Sequence, residues 1–130
     1  MSNTSLFVRP LLEILFPGSP EEIIALYHGY IRKSAHFAEY AVLAFFAALA
    51  FSGSNNRVLR KYWHCAAFLT VVLVAVADET NQSFNPARTG SAGDVAIDAA
   101  GGLTMILLFR AAKRFREKSA RRKLEKELVS

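Results

Sequence analysis

The chain has 130 residues, 52% of them hydrophobic, and a formal net charge of +5. The charge is uneven: residues 110–130 carry nine Lys or Arg against three Asp or Glu, whereas residues 1–109 carry seven against eight. A basic nucleic-acid face on the main body is therefore disfavoured, the tail has only Phe115 to stack on a base, and the single cysteine, Cys65, permits no intrachain disulfide.

The N-terminus lacks the positive start and unbroken apolar run of a cleavable signal peptide. Phe7, Leu11, Ile14 and Leu15 recur at helical spacing opposite Arg9 and Glu13, and Pro17-Gly18-Ser19-Pro20 closes that segment. A second short helix is predicted to follow, with Ser19 as N-cap, Pro20 in the first helical position and Glu22 completing a capping box. Each piece is about a dozen residues, too short to span a bilayer, and reads as an interfacial helix.

Residues 40–52, 62–77 and 99–109 hold no Asp, Glu, Lys or Arg. At 1.5 Å per residue they cover about 20, 24 and 17 Å, short of the roughly 30 Å of a hydrocarbon core. They reach across only by drawing in flanking charges, which sets the spans at about 34–52, 62–78 and 95–112. Arg57, Arg60, Lys61 and Arg110 can snorkel on long stems, but Glu39, Asp78 and Asp98 are short and stay near membrane depth, where they need partners. A soluble bundle of this size has no large core in which to hide segments so poor in a polar stripe. Tyr62 and Trp63 sit where an aromatic belt would lie, and Cys65 reads as a buried small hydrophobe. The expected fold is an all-α small polytopic membrane bundle: about three transmembrane helices, preceded by short interfacial helices and followed by a basic helical tail. Residues 1–109 form the membrane domain and 110–130 the tail.

Up-down-up threading returns the ionisable ends of all three spans to one side. The opposite side, the 53–61 loop and the tail, holds twelve Lys or Arg against four, so the positive-inside rule puts it in the cytoplasm. This predicts a multi-pass protein of the cell membrane with a cytoplasmic C-terminus and an outward-facing polar cluster. On the first span Arg32, His36, Glu39 and Leu43 form one stripe, with His36 and Glu39 placed to interact. On the third, Asp94, Asp98, Gly101 and Met105 form another, while Ala96, Ala100 and Thr104 make a small-residue row for close helix approach. Between the second and third spans, Pro86, Gly90 and Gly93 mark a loop from Asp78 onward, with Arg88 its only cation, placed to pair with Asp78, Glu79 or Asp94 or to bind a phosphate or carboxylate.

Three ordered segments carry a resemblance: Arg32-Lys33-Ser34-Ala35-His36-Phe37-Ala38-Glu39-Tyr40, Asp78-Glu79-Thr80-Asn81-Gln82-Ser83-Phe84-Asn85-Pro86-Ala87-Arg88, and Asp94-Val95-Ala96-Ile97-Asp98-Ala99-Ala100-Gly101. Together they resemble the VanZ-like family of bacterial membrane proteins over about residues 30–105. Asp98 stands where that family usually has Asn, and the extra span usual ahead of this region has no counterpart in residues 1–29. The resemblance implies a link to low-level resistance to the glycopeptide teicoplanin, and implicates Lys33, His36, Phe37, Glu39, Tyr40, Asp78, Glu79, Gln82, Phe84, Arg88, Asp94 and Gly101. The candidate cluster is Lys33, His36, Glu39, Tyr40, Asp78, Glu79, Gln82, Arg88, Asp94 and Asp98.

Several readings fit this cluster. Its charges can neutralise one another to fix helix register. It can bind a lipid head group, an envelope precursor or a glycopeptide, with Arg88 and then Lys33 as anion contacts. As an enzyme acting on a lipid-linked or phosphorylated envelope substrate, it would use His36 with Glu39 as base, Asp78 and Glu79 to share a proton or hold a metal, and Arg88 at a phosphoryl or acyl oxyanion. No serine motif, phosphate loop or His-Glu-x-x-His motif supports the last, and no metal or cofactor is expected. Three spans leave little room for a transport pathway. The bilayer itself is the one partner the composition requires.

Overall fold

The computed structural model describes residues 3–84 and 92–129, which form five helices and no strand. These are α1 (Asn3–Leu15), α2 (Glu21–Ser52), α3 (Arg57–Lys61), α4 (Trp63–Ser83) and α5 (Ala92–Val129). Three of them, α2, α4 and α5, are long and apolar enough to cross a membrane. Only 17 to 22% of the most apolar 18-residue window of each is buried within the chain. Phe46, Leu69, Leu73, Leu107 and Leu108 all turn outward. An apolar girdle of this extent is costly in water and natural against acyl chains. Thr70 and Thr104 donate to Ala66 O and Ala100 O in their own helices, at 2.9 and 2.8 Å, so neither hydroxyl is left unpaired there.

The helices run longer than the charge-free stretches. The segment expected as a second interfacial helix continues without a break into the first span, so α2 holds 32 residues and about 48 Å of rise. Nothing between residues 21 and 52 stops it: there is no proline, and Gly29 costs a helix only about 1 kcal/mol. The expected capping box does not form. Pro20 occupies the cap position without a side-chain cap, and Glu21 and Glu22 instead place negative charge on the first turn. α4 likewise carries Asp78 to Ser83 as helix, where a loop was expected from Asp78 onward. The 53–61 connection contains α3, capped by Asn56, whose Oδ1 accepts from Val58 N at 2.9 Å and Leu59 N at 3.3 Å.

Packing is up-down-up: α2 and α5 run parallel and α4 antiparallel to both, with the most extensive contact between α2 and α5. The core is narrow because small residues build it: Ala44 and Ala48 of α2 and Ala67 and Ala75 of α4 are fully buried. The expected Ala96, Ala100 and Thr104 row is exposed, and the close approach of α5 is made by Gly101 and Gly102 instead. A Cβ on Gly101 would collide with the backbone carbonyl of Phe37, and one on Gly102 would lie 2.6 Å from Val71 Cγ1. The same rotation turns Asp98 inward.

At the other end of the bundle Trp63 is buried rather than set in an exterior belt, its ring centroid 5.3 Å from that of Phe109 with Lys113 Nζ above it. Tyr62 faces out beside Lys61. Cys65, expected inside, is exposed, because the inward row of α4 is Trp63, Ala67, Val71, Ala75 and Gln82. Ahead of the spans, α1 folds back on α2 through buried Leu12, leaving Leu11, Ile14 and Leu15 outward. Gly18, at φ 83°, permits the reversal, and Phe16 stacks on Tyr27 at 5.3 Å across it.

Candidate functional site

The threading brings together polar residues from α2, α4 and α5 that are up to 66 positions apart, Arg32 to Asp98. Gln82 joins the first two helices. Only 6% exposed, its Oε1 accepts from Arg32 Nη2 at 3.2 Å while its Nε2 donates to Asp78 Oδ2 at 2.8 Å. A neutral amide thus links a guanidinium on one helix to a carboxylate on another, each using the hydrogen-bonding type the amide offers.

Beside this relay, α5 presents Asp98, 2% exposed and the most deeply buried ionisable group described. His36 Nδ1 lies 3.6 Å from Asp98 Oδ1, beyond hydrogen-bond length. Neither atom has another hydrogen-bond partner, although both are shut away from solvent. Buried polar atoms left unpaired are uncommon and costly, about 1–3 kcal/mol each. They sit at a small cleft lined by Arg32, Lys33, His36, Asp94, Ile97 and Asp98. Its volume of about 10 Å³ admits one water or one hydroxyl, not an enclosed ligand. Chemically the cleft offers two permanent cations, two carboxylates and an imidazole, a set that matches a group carrying both anionic and hydrogen-bonding character. Among the described residues no three His, Cys, Asp or Glu side chains are arranged to hold a metal ion.

The VanZ/LLP1 family model matches residues 3–113. The chain belongs to the VanZ/LLP1 family. No curated protein and no solved structure matches it. With three apolar helices of spanning length and this family membership, it is a membrane protein.

Against this frame the predicted site residues of the VanZ/LLP1 chain separate into groups. Lys33, His36, Asp94 and Asp98 share the cleft, while Asp78 and Gln82 form the adjoining relay. Tyr40 is buried one turn beyond His36, in the apolar core rather than at the cleft. Glu39 is exposed, and the partner facing His36 is Asp98 rather than Glu39. Glu79 is half-buried on α4. Arg88 lies outside the described residues. Arg32, on the predicted stripe but not in the candidate set, proves to line the cleft and anchor Gln82. His28, one turn before Arg32 and half-buried, also holds an unpartnered Nε2. Its signal was the four-residue spacing His28, Arg32, His36, which no flanking charge emphasised.

Proposed function

We propose that this VanZ/LLP1 protein is a multi-pass cell-membrane accessory protein, its basic end in the cytoplasm and its polar cluster facing outward. The cluster binds a phosphate- or hydroxyl-bearing group of an envelope precursor, lipid head group or glycopeptide, a hydroxyl entering the cleft and a phosphate staying at its exposed Lys33 rim, and through it the protein contributes to tolerance of glycopeptides such as teicoplanin. The observation that carries this reading is the unpaired His36 Nδ1 and Asp98 Oδ1 at a cleft ringed by Arg32, Lys33 and Asp94. A cluster built solely to neutralise itself would close that gap, whereas a binding site keeps donor and acceptor for its ligand. The outward orientation is supported by the twelve basic residues of the 53–61 loop and tail.

The test is the teicoplanin tolerance of a bacterial host expressing the wild type, Lys33→Ala, Arg88→Ala or His36→Gln, with membrane levels measured in parallel. Wild type should raise the inhibitory concentration several-fold over empty vector, and the three variants should lose that gain at unchanged membrane abundance. Tolerance equal to wild type in all three variants, or no gain from wild type, refutes the reading.

A further inference from the structure

At the opposite end of the bundle from the polar cluster, the last turn of α2 and the continuation of α5 enclose a groove of about 550 Å³. Its floor is apolar, built from Leu49, Phe109 and Ala112, and its rim carries Lys113, Arg116 and Glu117. We propose that this groove is a specific site for an anionic phospholipid with a glycerol-type head group.

Depth, charge and shape each point to that occupant. The third span ends at about Ala112, which marks the hydrocarbon edge. Arg116 lies four residues further along the same helix, about 6 Å by helical rise, within a head-group layer of roughly 5–8 Å per leaflet. One acyl chain lies along Leu49, Phe109 and Ala112, and the phosphate sits between Lys113 and Arg116, where fixed cations are matched to it. Glu117 faces the same groove. Its carboxylate accepts from a head-group hydroxyl, and with Lys113 and Arg116 it leaves the rim at a net charge of +1, which complements a singly charged glycerol head group better than a zwitterionic one. Lys113 is half-buried, held against the Trp63 ring at 5.9 Å, so one of the two cations is prepositioned. This site is independent of the proposed role of the polar cluster.

The test uses the full chain in detergent, following its thermal unfolding midpoint as phosphatidylglycerol, phosphatidylethanolamine or phosphatidylcholine is added. Phosphatidylglycerol should raise the midpoint by several degrees more than either other lipid. Lys113→Gln with Arg116→Gln should erase that difference, as should Ala112→Phe, which fills the floor and leaves every charge in place. Arg121→Gln with Arg122→Gln, equally basic but outside the groove, should preserve it. Equal shifts from all three lipids overturn the proposal. So does an equal loss from the 121/122 pair, which would reduce the effect to diffuse attraction of the tail. If Ala112→Phe unfolds, native mass spectrometry of Arg116→Gln decides: retained phosphatidylglycerol at the wild-type level refutes the site.

Discussion

Among the described residues, the nearest cation-forming neighbour of Asp98 is His36, which stays 3.6 Å away. Replacing a buried ionisable pair by neutral groups is often harmless, while stranding a true charge pair costs about 3–5 kcal/mol. Asp98→Asn is therefore expected to unfold in detergent within a degree or two of wild type. A loss approaching 3 kcal/mol would show instead that the His36 and Asp98 charges hold the helices together. Gln82 is the opposite case, since both halves of its amide are engaged. Gln82→Leu leaves Arg32 and Asp78 without that link, at about 1–3 kcal/mol, and should lower the thermal midpoint where Asp98→Asn does not. The sequence marked these residues as polar and near one another but did not rank them. Glu39 and Tyr40 both lie one turn beyond His36, at steps of three and four, so which of them turns inward beside it depends on where α5 packs. That contact is a tertiary fact.

For the helices, what was legible was hydropathy. Three charge-poor runs announced three spans, and all three are present as long helices. Their ends are less legible, because bilayer thickness sets the expected spans at about 34–52, 62–78 and 95–112, and helices do not stop at the membrane edge. Propagation continues until proline, glycine or a competing cap intervenes, which is why α2 runs through Arg32 and Lys33 and α4 through Asp78 and Glu79. The close contact of α5 was misplaced for a related reason: two small-residue registers overlap between residues 96 and 104, and composition alone does not choose between them. Gly101 and Gly29 now make opposed predictions. Gly101→Ala forces a methyl against the Phe37 carbonyl and should destabilise by about 1–3 kcal/mol or prevent folding. Gly29→Ala meets open space within a helix and should stabilise by about 0.5–1 kcal/mol. Parallel thermal unfolding of the two variants checks both signs.

The whole molecule is polarised, with mixed charges at one end and cations at the other. A cysteine introduced at Ser83 in a Cys65→Ala background should react in intact cells with a thiol reagent that cannot cross membranes, while one at Ser54 should react only after lysis. The reverse pattern would invert the topology. Cys65 must be removed because it is exposed on α4. A last consequence follows from α5 being a single helix of 38 residues from Ala92 to Val129. Its first half is packed, from Asp98 through Gly101, Gly102, Ile106 and Phe109 to Lys113. Beyond Lys113 it runs on for about 24 Å by helical rise to Val129. The tail is therefore an arm that carries Arg121, Arg122 and Lys123 about 12 Å or more past Lys113, out of reach of the bundle's own carboxylates.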